Sequence, residues 1–320
     1  MSLTATPQTK TTQASRTRPG LLTIALAIVV LALVPIAVTT DRFLSLGNAR
    51  AILASTALVG ITAIGATLVM IAGSAVSMAA SQTATVVAMV FLATLDLGLA
   101  VAIVLALLGG VAVTAIQGLA VGWWEANPIV LTIAAGFAIG GGSVWFSGGT
   151  PVNAATGGYQ ILNATPLGLP LAVYVLLLLA VLAEWILRRT TAGRQMYLVG
   201  ENRAAARAAG LPVGRVTGVA WAFFGLCLAI TGVFLAAFNT SATTNLAGTL
   251  TLDAIAAVLV GGTAIAGGKG SALRTLGGAL LISVITDVLL LRGYSTGIQI
   301  LVKGVLVLAV VVLVHVRRRK

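Results

Sequence analysis

The chain has 320 residues, of which 59% are hydrophobic and 8% charged, with a mean hydropathy of +1.09. A soluble domain carries roughly 25% charged residues, so this chain has too little charge to cover its own surface in water, and lipid is its expected solvent. The net charge of +12 lies in short clusters between apolar runs, which fits a membrane protein and argues against nucleic-acid binding.

The 37 glycines exceed the usual ~7%. Helices in lipid associate through close packing at small residues, so this composition predicts a tight bundle. Residues 1–20 are polar and Thr-rich, with Lys10, Arg16 and Arg18, and read as a disordered tail. The apolar run 21–38 is longer than a signal-peptide core and contains Pro35, so it reads as a retained first span. Further spans are expected at 49–71, 75–95, 97–121, 128–146, 169–187, 216–237, 252–266, 273–291 and 298–316. The fold class is therefore an all-α polytopic membrane helix bundle of about ten transmembrane helices.

Of the 19 Lys and Arg residues, all but Arg42, Arg50, Arg292 and Lys303 fall on one side of such a bundle. The positive-inside rule makes that side cytoplasmic and puts both termini there, with 317–320 as a basic C-terminal tail. Two connections are long. The outer loop 147–168 is Gly- and Asn-rich, and the inner loop 188–215 is strongly basic. Within the inner loop, 202–210 reads as a short helix, with Asn202 as N-cap, Gly210 as a left-handed cap and Pro212 beyond it. Arg203 and Arg207, four apart, share a face.

The segments at 75–95 and 252–266 are marginal spans. Gly73, Ser74 and Ser77 open the first; Asp253, Gly261, Gly262, Thr263, Gly267 and Gly268 lie in or follow the second. Such interrupted segments are either parts of a translocation pathway or tight turns between ordinary spans, and both readings stand.

No catalytic constellation is legible. The stretch ending Gly267-Gly268-Lys269-Gly270 fails as a phosphate loop, because Gly270 stands where Ser or Thr is required and Thr263 where the first Gly should be. His315 reads as an interfacial histidine, Cys227 as a small buried hydrophobe, and no residues show metal-ligand spacing. Asp253, Asp287 and Lys303 lie within spans, close enough to the outer surface for Lys303 to snorkel. They read as interfacial structural residues, with an ion relay as the alternative. Glu184, beside Trp185 and before Arg188, reads as an inner-interface anchor.

The run from Val199 through Gly200, Glu201, Asn202, Arg203, Ala206, Arg207 and Gly210 to Leu211 resembles the cytoplasmic loop of ribose-type ABC sugar permeases. Leu252, Asp253 and Ala254, followed by Gly261, Gly262 and Thr263 and then Gly267 and Gly268, are similar to that family's eighth-span signature. Thr150, Pro151 and Asn153 are similar to its external segment. The resemblance covers roughly residues 45–316 and is stronger in the C-terminal half. It implies an importer permease in a bacterial plasma (inner) membrane, paired with a second permease subunit beside two cytoplasmic ABC ATPases. An extracytoplasmic binding protein would deliver a small polar solute, most simply a monosaccharide. It further implies that Glu201, Asn202, Arg203, Ala206, Arg207, Gly210 and Leu211 couple to the ATPase, and that Thr150, Pro151 and Asn153 meet the binding protein. ATP and Mg would bind the partner ATPase, with no cofactor in this chain. One departure stands out: the family's G-I-D-L-S-V-G is here Gly73-Ser74-Ala75-Val76-Ser77-Met78-Ala79, which implies an unusual substrate or a different permease as partner. The rival class is a secondary ion-coupled transporter using Asp253, Asp287 and Lys303.

Overall fold

The computed structural model describes residues 39–40, 43–154 and 156–318. The expected tail at 1–20, the expected span at 21–38, and Arg42, Arg319 and Lys320 lie outside the described residues, as do the side chains of His315, Arg317 and Arg318. The chain forms helices α1 (Leu46–Ile71), α2 (Ala80–Ala93), α3 (Leu99–Trp123), α4 (Pro128–Ser147), α5 (Leu171–Arg189), α6 (Thr191–Glu201), α7 (Arg203–Ala208), α8 (Val213–Asn239), α9 (Leu250–Val260), α10 (Ala272–Leu291) and α11 (Thr296–Arg318). Two short strands, β1 (Val152–Asn153) and β2 (Ser241–Ala242), pair antiparallel with Val152 opposite Ala242.

Among the described residues, α1, α3, α4, α5, α8 and α10 are long and apolar enough to cross a membrane; α2, α9 and the Thr296–Val310 part of α11 are shorter apolar helices. The bundle is all-α and polytopic. Its centre is α8, packed against α3, α1 and α2. Small residues set that packing: a Cβ on Gly118 would overlap the Trp221 ring, and one on Gly225 would overlap Thr114. Hydroxyl pairs tie helices inside the apolar core, Thr62 to Thr231 at 3.1 Å and Thr67 to Thr275 at 2.8 Å.

The outward face shows which solvent the fold needs. Helix α4 buries Thr132 and Ser143 while exposing Phe137, Trp145 and Phe146. Polar groups in and aromatic groups out is a pattern for lipid, because every polar group must then be satisfied within protein.

Two expected spans are corrected. The helix expected at 75–95 begins only at Ala80, and the one expected at 252–266 ends at Val260. Both breaks follow the same local chemistry. Gly73 (φ +74°) and Gly262 (φ +79°) take the left-handed conformation that glycine adopts without a steric penalty. The hydroxyl residue after each returns its amide to the preceding helix, Ser74 N–H to Val69 O and Thr263 N–H to Val258 O. These are helix stops of the Schellman kind, and the chain beyond each one leaves helical geometry.

Candidate functional site

The interrupted helices bring their beginnings together inside the bundle. Neither α2 nor α9 has a side-chain cap of its own. Each supplies the other's instead: Ser81 N–H donates to Thr251 Oγ1 at 2.8 Å and Thr251 N–H donates to Ser81 Oγ at 3.0 Å, with the two hydroxyls 2.7 Å apart. Ser81 lies 12 residues from the far end of α2, ~18 Å at 1.5 Å per residue, which is well within a ~30 Å hydrocarbon layer.

Irregular backbone reaches this depth from both sides, and protein groups satisfy it. In the 74–79 stretch, Met78 N–H donates to Thr132 Oγ1 at 3.0 Å, and Ser77 Oγ–H donates to Gln117 Oε1 at 2.8 Å. Gln117 Nε2 is buried without a partner among the described residues. On the other side, the 243–249 stretch descends beside α2, where Ala247 N–H donates to Thr85 Oγ1 at 3.2 Å. The groups that meet at the junction are hydroxyls and amides.

Two residues beyond Thr251, Asp253 meets Lys303 of α11, with Nζ 2.6 Å from Oδ1. Thr249 Oγ1–H donates to the other carboxylate oxygen at 2.8 Å. The pair is buried, with side chains 12% and 8% exposed. It lines a cavity of ≈ 180 Å³ shared by Leu252, Ile255, Ile300, Gly304 and Val307. This corrects the expectation that Lys303 snorkels to a surface. Because α9 starts deep in the bundle, counting residues from a surface misjudges the depth of Asp253. Asp287 is placed otherwise: it accepts a hydrogen bond from Asn48 Nδ2 at 2.8 Å.

At the basic end, α6 and α7 form a platform across the ends of the other helices. Thr190 caps α6 through Gly193 N–H. Asn202 caps α7 through Ala205 N–H at 3.0 Å, as its sequence position suggests, and Gly210 takes φ +75° beyond the helix. Ala206 is buried and Leu211 half-buried, whereas Glu201 and Asn202 are exposed. Arg203 donates to Thr217 Oγ1 of α8 at 3.1 Å. Burial, then the neighbouring Arg207 charge, holds the Arg203 guanidinium below its ordinary pKa. Arg207 pairs with Glu125 in the α3–α4 turn, a partner that its position in sequence does not reveal. Glu125 itself has φ +54°, a conformation that a non-glycine residue holds only when its surroundings demand it.

The residues expected along a pathway do not form one group. Gly73, Gly267 and Gly268 converge on Gly200 of α6 at the basic end. Gly261 packs on Thr275, and Thr263 is buried with no partner for its hydroxyl among the described residues. Ser74 is buried beside the α1 stop. Ser77 and Asp253 lie deeper, near the helix junction. Glu184, expected as an inner-interface anchor, lies at the basic end and caps the start of α10: its carboxylate accepts from Ala272 N–H at 2.8 Å, Leu273 N–H at 3.3 Å and the Ser271 hydroxyl at 3.1 Å. Arg188, one turn along α5, closes its other oxygen. At the opposite end, Thr150, Pro151 and Asn153 are exposed, and Asn153 faces Ser241 in the two-stranded ladder. No group of residues suited to a metal occurs among the described residues.

Helices that begin in mid-bundle, with irregular backbone leading into them, recur in membrane transporters, and transport protein is the class these features define. Residues 48–314 match the family described as "Branched-chain amino acid transport system / permease component", and the chain belongs to that family. It is similar to the ribose import permease protein RbsC of Escherichia coli (strain K12), 30% identical over 286 residues, 85% of this chain and 87% of the relative. It is also similar to the probable ABC transporter permease protein YphD of the same strain, 32% identical over 271 residues, 84% of this chain and 82% of the relative. The autoinducer 2 import system permease protein LsrD of Yersinia enterocolitica is 34% identical over 194 residues, 58% of each chain. No solved structure matches the chain.

Proposed function

We propose that the chain is the membrane-spanning subunit of an ATP-driven ABC importer for a small, neutral, polar solute of the sugar type. The observation that carries this reading is the α6–α7 platform: a basic, non-spanning pair of helices held to the bundle by the Arg207–Glu125 and Arg203–Thr217 contacts. A carrier that draws its energy from an ion gradient has no need of such a docking surface. The basic end is then cytoplasmic. A cytoplasmic ATPase sits against residues 201–211, binding ATP and Mg, while a second permease subunit completes the path. A solute-binding protein delivers its cargo at the opposite end, where Thr150, Pro151 and Asn153 are exposed. With the expected first span at 21–38, the chain crosses a bacterial plasma membrane about ten times and keeps both termini inside.

The relatives named for ribose and autoinducer 2 import support a sugar-like solute. The region of the junction supports it independently, since its polar groups are hydroxyls and amides, and Gln117 Nε2 is left there as a buried donor without a partner among the described residues. The ion-coupled alternative is weakened by the Asp253–Lys303 pair, whose charges satisfy each other, and by Asp287, which is held by Asn48.

The test is purification of the tagged chain from its native membrane in gentle detergent, with co-purifying proteins identified by mass. A nucleotide-binding subunit in stoichiometric amount supports the importer. A chain that emerges alone and still moves solute into vesicles without ATP overturns it.

A further inference from the structure

The α6 helix touches both interrupted segments at once. Gly200 lies where a Cβ would overlap Ile71 O on one side and Gly268 N on the other. Those two groups are themselves joined, Gly268 N–H donating to Ile71 O at 3.0 Å. A Cβ on Gly267 would likewise press on the Gly73 backbone and on Gly200 O. Three pieces of main chain from distant parts of the sequence thus meet with no side chain between them. A second tie lies one turn back along α6, where Tyr197 donates its hydroxyl hydrogen to Gly270 O at 3.0 Å.

What leaves this knot matters as much as what enters it. Past Gly73 the chain runs through the 74–79 stretch into the start of α2. Preceding Gly267, the chain comes from α9 through the turn at 261–263. The far ends of those two routes are Ser81 and Thr251, which cap each other in mid-bundle. The contacts form a closed ring: α6, the α1 stop, α2, α9, the 261–270 loop, and α6 again. Packed backbone does not deform continuously, so a shift of α6 displaces both interrupted segments together.

We infer that Gly200 and Tyr197 are positioning residues through which motion of the platform reaches the α2–α9 junction. The inference rests on the importer reading of the platform. The route differs from the obvious one through α5 and α8, the helices adjoining the platform in sequence. Gly200 is the pivot, because only a residue without a side chain lets α6 rest on the Ile71–Gly268 hydrogen bond. Tyr197 makes the loop follow α6, since its hydrogen bond ends on the backbone carbonyl of Gly270.

The test uses the complete transporter, purified with its ATPase and binding protein and reconstituted in vesicles, with solute uptake and ATP hydrolysis measured on the same preparation. Allosteric couplings of the usual size correspond to ~5- to 150-fold effects. Gly200→Ala is expected to lower solute moved per ATP hydrolysed by at least ~10-fold while the ATPase still co-purifies at wild-type stoichiometry. Tyr197→Phe, which removes one hydrogen bond and leaves the ring, is expected to lower the same ratio by at least ~3-fold with the melting temperature nearly unchanged. A purely structural role would reduce the amount of folded complex and leave the ratio per assembled complex as it was, and that result overturns the inference. Where Gly200→Ala yields no folded complex, Tyr197→Phe alone decides, and an unchanged ratio in it counts against the route. A wild-type preparation with no associated ATPase is a different outcome: it removes the importer reading itself, and with it the basis of this inference.

Discussion

Lys303 reaches from α11 to within 2.6 Å of Asp253 on α9, joining two buried charges beside the apolar side chains of Leu252, Ile255, Ile300 and Val307. A pair so buried gives little net stabilisation over an apolar replacement, but leaving one charge without its partner costs about 3–5 kcal/mol. Asp253→Asn and Lys303→Met singly are therefore expected to lower the thermal midpoint in detergent more than the double substitution does. A double-mutant cycle measured by thermal unfolding checks this. Single effects that simply add would mean that the pair is not coupled.

Glu184 is expected to be among the most sensitive polar positions. Its carboxylate satisfies two amides and a hydroxyl at the start of α10 as well as Arg188. Hydrogen bonds to a charged group contribute ~1.5–3 kcal/mol each. Glu184→Ala should cost several of these at once and sharply reduce folded protein. Glu184→Gln keeps an acceptor and should fall between the two. Size-exclusion yield and thermal midpoint read the order, and equal behaviour of Ala and Gln would refute it.

For Arg207 the expectation concerns partners more than folding. The Arg207–Glu125 pair is half exposed, and such pairs contribute ~0–1 kcal/mol, so the fold should tolerate its loss. Arg207→Glu sets two like charges against each other at the α7 face and is expected to abolish ATPase association while insertion persists. The swap Arg207→Glu with Glu125→Arg should restore much of the association, because it restores the position of α7. Co-purification of the ATPase measures both. Normal association in the single variant would exclude a docking role for this face.

Tyr197 connects the platform to pH. Burial, then the nearby Glu184 carboxylate, raises its phenol above its ordinary value of 10.0. A group whose pKa is raised by folding contributes stability that is complete below the unfolded value and lost as pH rises through the folded one. Stability should therefore not vary with pH through this residue near neutrality and should fall above about pH 10. Tyr197→Phe should flatten that alkaline limb in a thermal-midpoint series from pH 8 to 11. An unchanged limb in the variant would assign it to other groups.

The bundle was legible in sequence because apolar length and the Lys and Arg distribution are one-dimensional signals. The stops at Gly73 and Gly262 were visible as weak points for the same reason, although their conformation was not. What sequence could not show were the pairings across distance: Ser81 with Thr251, Glu184 with the start of α10, and Asp253 with Lys303. Each joins residues at least 50 apart through side chains that look unremarkable alone. Helix α6 is a different case. Its buried residues Gly193, Met196, Val199 and Gly200 follow helical spacing behind the Thr190 cap, so the periodicity was present, masked by two glycines and a polar composition.

The reciprocal capping of Ser81 and Thr251 makes the starts of α2 and α9 depend on each other. Each helix start has its amide satisfied only while the other stands beside it, so neither can move off without orphaning both. Partial separation of the two starts would leave both amides unsatisfied, at about 1–3 kcal/mol each, until they found other acceptors. New partners for the two amides have to be acceptors, such as hydroxyl or carbonyl oxygens.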